Sequence, residues 1–326
     1  MSSFRLPAPP SPSTESPVEI ADFWEILATG QPGSDISLSS VRAVIDRVAE
    51  SDPAEDAEED IEEEGRFDDA IDEVKYRMCV CGEAYPFYFT SDSERVLALR
   101  DEGTCAKRAL YLFLLLATRL NMNSRRVFEE IDAPLLFEEV CEAALKEMCG
   151  PRGRTHRFGT SAGDQNFDDR LRSFFSELQE FALRDDREIP KHGGDDGLDL
   201  AWWNTFAWHC DIPYQGVHER PPGKLIVLAQ CKTGTSWAAP DMQRLQPSTF
   251  FDKWMTHTPL GQTARSFMAA ARVDHSEWED MHREGGMFFD RCRIVDYAAP
   301  RMSDELWIKV RRWTTAAAVC PDLGEA

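Results

Sequence analysis

Apolar residues recur every three or four positions in "DDRLRSFFSELQEFALR", where Leu171, Phe174, Leu178 and Phe181 fall on one side, so an amphipathic helix is expected over 168–184. "SLSSVRAVIDRVAE" repeats the pattern with Val41, Val44, Ile45 and Val48, and offers Ser37 or Ser39 as its cap. "VEIADFWEILATG" predicts a short helix ended by Gly30. "CAKRALYLFLLLATRLN" is apolar on every side, which marks a buried helix rather than a surface one. Its unbroken apolar run, 109–117, is too short to cross a bilayer. "RVFEEIDAPLLFEEVCEAALKEMCG" predicts one or two helices that stop at Gly150-Pro151. Further helices are expected over 248–256, 263–273 and 275–284, and a last one in "SDELWIKVRRWTTAAAV".

Strand patterns occur in "YPFYFT", in 197–203, in "KLIVLAQCK" and within "GMFFDRCRIVDYA". Side chains of a strand alternate between faces, which places Asp199 with Ala201 and Trp203, and Gln230 with Leu228 and Lys232. An antiparallel pairing of these two strands would bring Asp199, Gln230 and Lys232 together at one sheet end. On the preceding helix Glu177 sits at the edge of the apolar stripe and could add a second carboxylate, while Glu180 points further away.

The chain has 326 residues, enough for one large core or two smaller ones, and carries a formal net charge of −22. Such acidity argues against a surface that grips phosphates all over. It leaves room for a local basic groove, because the excess is uneven: residues 1–75 hold 20 acidic and 5 basic side chains, a net of −15, which leaves −7 for the rest. The organisation expected is a Pro- and Ser-rich disordered segment over 1–18, a helical acidic segment over 19–75 with an acidic linker at 50–64, a helical region over 76–150, and an α/β domain over 151–326. The acidic linker reads as a solvated segment or as an interaction or autoinhibitory one. Nine cysteines without paired CxxC motifs suggest free thiols, and the N-terminus lacks the apolar core of a signal peptide, so a cytoplasmic location is expected.

Asp199, an oxygen donor at 230 and Lys232 on one rim are what phosphodiester hydrolysis needs. A hard cation such as Mg²⁺ takes one or two carboxylates, waters and a substrate phosphate. It polarises the phosphoryl group and acidifies a bound water, and a lysine beside it orients or deprotonates that water and offsets developing charge. Arg154 and Arg157 in the basic loop "RGRTHRFG" read either as surface residues or as phosphate contacts. Arg291 and Arg293, alternating onto one strand face, either reach a phosphate or pair with Asp290 or Asp296. The blander assignments are turn residues for Asp195 and Asp196, core for Cys231, and core packing for most of Trp202, Trp203, Trp208 and Trp237, one of which could stack on a base. His209, Cys210 and His218 lack the second ligand pair a zinc site requires.

"DDGLDL…LAQCK", with a Glu-bearing helix just upstream, resembles the PD-(D/E)xK, or restriction-endonuclease-like, nuclease superfamily, and its Gln-x-Lys variant resembles the Mrr-like branch. "KLIVLAQCKTGTSW" followed by "GMFFDRCRIV" also looks like proteins of bacterial anti-phage defence loci. The resemblance implies a mixed central sheet flanked by helices, with a mainly helical N-terminal region. It further implies Mg²⁺ or Mn²⁺ held by Asp199, Gln230 and Glu177, with Glu180 as the other candidate for the helix carboxylate, and Lys232 as the catalytic lysine. DNA would be the substrate. An ATPase or helicase of the same defence system, and possible homodimerisation, would supply the partners. Two features depart from the pattern: Gln230 replaces a carboxylate, and "NTFAWHCDIPYQGVHERP" inserts a long segment between paired strands. The competing readings are an inactive nuclease-derived interaction module and an RNase.

Overall fold

The computed structural model describes residues 4–6, 16–29, 35–49, 59–100, 105–119, 126–158, 166–178, 180, 182–189, 196–204, 224–235, 237 and 239–319. Gly30, Phe181, Asp195, Trp208, His209, Cys210, His218, most of the 204–221 insertion and the 50–58 part of the acidic linker lie outside them. In chain order the elements are β1 (Phe4–Leu6), α1 (Pro17–Ala28), β2 (Ile36–Ser37), α2 (Leu38–Ala49), α3 (Glu59–Cys81), β3 (Phe87–Phe89), β4 (Val96–Leu99), α4 (Ala106–Ala117), β5 (Val127–Phe128), β6 (Ile131–Asp132) and α5 (Ala133–Cys149). There follow β7 (Arg154–Arg157), α6 (Phe167–Leu178), β8 (Leu200–Trp203), β9 (Ile226–Lys232), α7 (Ala239–Gln243), α8 (Pro247–Trp254), β10 (Thr263–Ala269), α9 (Trp278–Gly285), β11 (Met287–Phe289), α10 (Arg291–Ala298), α11 (Asp304–Ala316) and β12 (Ala317–Val319).

The chain is thus a mixed α/β protein with a helical N-terminal region. Its central sheet runs β11-β10-β9-β8-β7: β9, β10 and β11 are parallel, β8 is antiparallel to β9, and β7 is antiparallel to β8. Alternation along the strands sorts side chains onto two faces. Leu200, Trp202, Val227 and Ala229 pack with Leu136, Phe137 and Val140 of α5. Ala201, Trp203, Ile226 and Leu228 pack with Leu171, Phe174 and Leu178 of α6 and with Phe250, Phe251 and Trp254 of α8. Each Val, Leu, Ile and Phe among them, once fully buried, stabilises the fold by about 1.5–3 kcal/mol.

Local signals set several boundaries. Ser37 Oγ accepts the Ser40 N–H at 3.1 Å, so Ser37 is the cap of α2. Ser303 caps α11 through the Leu306 N–H. Gly153 precedes β7 where a Cβ would stand 2.1 Å from the Trp202 indole, a space only glycine fits. Other expectations are corrected. "TARSFMA" forms strand β10 rather than a helix, because two parallel neighbours supply its hydrogen bonds and burial, overriding its alanine-rich helical preference. "RGRTHRFG" is strand β7 in its middle, not a loop. After β11 the chain turns into helix α10, capped by Asp290, so Arg291 and Arg293 do not share a strand face.

The expected boundary at 151 does not divide the core. α5 packs on the sheet, and one apolar cluster runs from α1, α3 and α4 through to β8, β9 and α10. Residues 4–6, expected within a disordered segment, pair in parallel with β12. At the junction lies a buried ion network. Arg77 reaches Asp22 at 2.6 Å, Glu25 at 2.9 Å and Glu73 at 2.6 Å. Arg291 holds Asp22 at 2.7 Å, Arg272 pairs with Asp290 and Glu73, and the hydroxyls of Tyr85 and Tyr111 donate to Glu25. Cys81 of α3 is disulfide-bonded to Cys292 of α10 across the same junction, which corrects the expectation of free thiols throughout.

Candidate functional site

The turn that leads into β8 carries two successive left-handed residues, Asp196 (φ 53°) and Gly197 (φ 83°). Gly197 is required twice over, because a Cβ there would also stand 2.6 Å from Gln230 Nε2. The Asp196 carboxylate is paired with Lys253 of α8 at 2.8 Å. Leu198 then enters the core beneath α6. The next residue departs from simple alternation. Asp199 donates its N–H to Ala229 O at 3.0 Å, although Leu200 is the register partner of Ala229. Two residues therefore oppose one, as in a bulge, and a bulge re-aims the side chain it carries. Asp199 Oδ2 accepts the Cys231 N–H at 2.7 Å, and its charge acts on Glu138 and Cys141 of α5.

Glu138 is the group the sequence reading missed. It is only 7 % exposed, and its Oε2 is buried without a hydrogen-bond partner. Burial, followed by the negative charge of Asp199, raises its pKa to about 8 against the partial opposition of Arg157 and Arg170, so the acid is largely protonated at neutral pH. The signal was present. Glu138 stands three residues before Cys141 and seven before Leu145, both fully buried, which puts a charge in the apolar stripe of α5. The thiols beside it are held protonated: Cys141 by burial, Cys231 first by its hydrogen bond with Cys141 and then by burial. Cys231 packs on the α5 side, a core position as expected.

The two helix carboxylates proposed from sequence lie elsewhere. Glu177, on the α6 face of the sheet, accepts from Ser173 Oγ at 3.2 Å and faces His156 Nδ1 at 3.6 Å, across the sheet from Glu138. Burial lowers the pKa of His156 despite that carboxylate. Glu180 accepts the backbone N–H groups of Lys224 (3.0 Å) and Leu260 (3.2 Å), where the chain enters β9 and β10, the end opposite to Gln230 and Lys232. Its role is to close that end of the sheet.

Gln230 and Lys232 share the face expected of them, but Gln230 is not directed at Asp199. It is 1 % exposed, and its Nε2 donates to Asp241 O of α7 at 3.1 Å. Lys232 is half-buried at the end of β9, one residue after the N–H that holds Asp199. Arg157 is committed to Glu139 and Glu142 of α5, at 3.2 and 3.5 Å. Arg154 is exposed on β7. Arg291 is fully buried in the ion network, and Arg293 lies over the Trp278 ring at 4.0 Å while donating to Phe288 O, so neither is placed as a phosphate reader.

Among the described residues, no group of three or more His, Cys, Asp and Glu side chains is arranged to hold a metal ion. The Asp199 carboxylate at the end of β8 is near enough for its charge to act on Glu138, one oxygen of which is buried without a hydrogen-bond partner. That donor set fits a hard cation completed by waters and a phosphate. No helix among the described residues is long and apolar enough to cross a membrane. No protein-family model matches the chain, and neither a curated protein nor a solved structure matches it.

Proposed function

We propose that this chain is a divalent-metal-dependent DNA endonuclease of restriction-endonuclease-like fold, acting as the effector of a bacterial anti-phage defence system. The observation that carries the reading is the orphaned Glu138 oxygen beside Asp199, at the sheet end where Lys232 emerges. A buried carboxyl oxygen without a partner, on an acid that feels the charge of a second carboxylate, is costly to the fold and supports reading the place as a ligand site. Asp199 and Glu138 would hold Mg²⁺ or Mn²⁺, which supplies Lewis-acid polarisation of the phosphate and a water of lowered pKa. Asp199 is kept in place by the Cys231 N–H. Glu138 would serve as a ligand in its carboxylate form. Lys232 leaves the same sheet end from the opposite face, and would offset charge on the phosphate oxygens by reaching round that end. Arg154 is the remaining candidate for a backbone phosphate contact.

The test is a plasmid-cleavage assay with Mg²⁺ or Mn²⁺, with EDTA, and with an RNA substrate alongside DNA. Asp199→Asn, Glu138→Gln and Lys232→Ala each lower the rate at least about 100-fold, the scale expected when a charge-stabilising group is removed. Wild-type rates for all three end the catalytic reading. Cleavage of RNA alone makes the chain an RNase. One observation favours a second reading, an interaction module without catalysis that docks to an ATPase or helicase: the amide at 230 is turned to Asp241 instead of Asp199. A folded chain that neither binds Mn²⁺ nor cuts either nucleic acid supports that module.

A further inference from the structure

Position 230 is where the resembling family carries an acidic ligand, and this chain has an amide there for a reason the geometry supplies. Gln230 Nε2 donates to Asp241 O at 3.1 Å, joining β9 to α7. A carboxylate at this position would set an acceptor against a carbonyl acceptor, since only the amide carries N–H donors. The same nitrogen fills the space over Gly197, where a Cβ would come to 2.6 Å, and Arg244 closes that space at 3.7 Å. Gln230 therefore lies between the left-handed turn at Asp196-Gly197 and α7, on the face of the sheet away from α5 and Glu138. The turn is held a second time by the Asp196–Lys253 pair. Two residues beyond Gly197 stands Asp199, bound to the N–H of the residue that follows Gln230.

We propose that Gln230 is a positioning residue, a hydrogen-bond donor that clamps the 196–199 turn between β9 and α7 and so aims Asp199, and that it is not itself a ligand. Strained backbone persists only where its surroundings over-determine it, and Gln230 supplies one of the restraints here. The inference refines the metal-site reading above and rests on it only for Asp199's task.

Two measurements on the full chain separate these layers. Hydrogen exchange of the Cys231 amide and of peptides spanning 196–204 reports the clamp directly, because that amide is bonded to Asp199. Gln230→Glu speeds their exchange at least 10-fold while peptides of α1 and α4 keep wild-type rates; unchanged local exchange overturns the clamp. Mn²⁺ titration followed by electron paramagnetic resonance reports ligation. If Gln230 only positions, the extra carboxylate of Gln230→Glu leaves the apparent Kd unchanged or weakens it, and Gln230→Ala weakens it about 10-fold. A 10-fold tighter Kd for Gln230→Glu makes position 230 a ligand and overturns the proposal. Failure of the wild-type chain to bind Mn²⁺ removes the metal reading, and the exchange data then decide the clamp alone.

Discussion

Two regions bury carboxylates to a similar degree and treat them in opposite ways. At the junction of α1, α3 and α10, Asp22, Glu25, Glu73 and Asp290 meet Arg77, Arg272 and Arg291, and two tyrosine hydroxyls fill further acceptor positions on Glu25. On α5, Glu138 feels the like charge of Asp199, and one of its oxygens has no partner. The shifts follow. Burial works to raise the Asp22 pKa, but Arg291 and Arg77 outweigh it and hold it at about 2, whereas burial and Asp199 push Glu138 up to about 8. The first arrangement joins the helical region to the sheet. The second costs stability, which a bound cation would return.

The contrast can be broken most forcefully at Arg77. Arg77→Ala leaves three acids without their shared partner, and denaturant unfolding should show a loss of about 3–5 kcal/mol, the scale for breaking a buried ion pair from one side. Surviving stability close to wild type would show that the network is not what joins the two regions.

Glu138→Gln should do the reverse and stabilise the chain. An acid whose folded pKa is raised loses stability as pH climbs from its unfolded value toward about 8, because the unfolded chain releases the proton first. The substitution is therefore nearly neutral at pH 4 and gains about 4 kcal/mol at pH 8, read from unfolding midpoints at the two pH values. Equal effects at both would mean that Glu138 is paired in the native protein.

Asp22 has the opposite sign. Its folded pKa is depressed, so its contribution of about 2 kcal/mol is present above pH 4 and is lost as pH falls toward about 2. Asp22→Asn should flatten the acid limb of the stability profile over that window, and an unaltered limb would place acid sensitivity elsewhere. The smallest effect belongs to Arg154→Ala. This exposed change should alter stability by less than about 0.5 kcal/mol, while a fluorescence-anisotropy titration with duplex DNA shows weaker binding and a shallower salt dependence.

Much of the helical framework was legible in the chain. The stripes of α2 and α6, the apolar α4 and the serine cap of α2 are local signals read over one or two turns. Alternation gave Gln230 and Lys232 one face, and the antiparallel pairing of β8 with β9 expected beside it is observed, but the out-of-register Asp199 escaped it. The candidate site was half legible. Asp199 and Lys232 announce themselves as charges beside apolar strands, but the carboxylate that joins Asp199 comes from α5, about sixty positions upstream, and Glu177 and Glu180 were nearer in sequence without being nearer in space. The β10 strand was hidden because residues rich in alanine carry a helical preference until two parallel neighbours take their hydrogen bonds.

The amino-acid order by itself determined the periodic elements, their caps, the acidic imbalance of the first 75 residues and the residue types that phosphate chemistry would use. Only the tertiary structure decided which of those residues meet. A single extra residue opposite Ala229 re-aimed Asp199, and the packing of α5 onto the sheet made Glu138 a largely protonated acid with one unpartnered oxygen. Periodicity is a property of neighbouring residues, whereas desolvation and charge proximity exist only after distant segments have packed together.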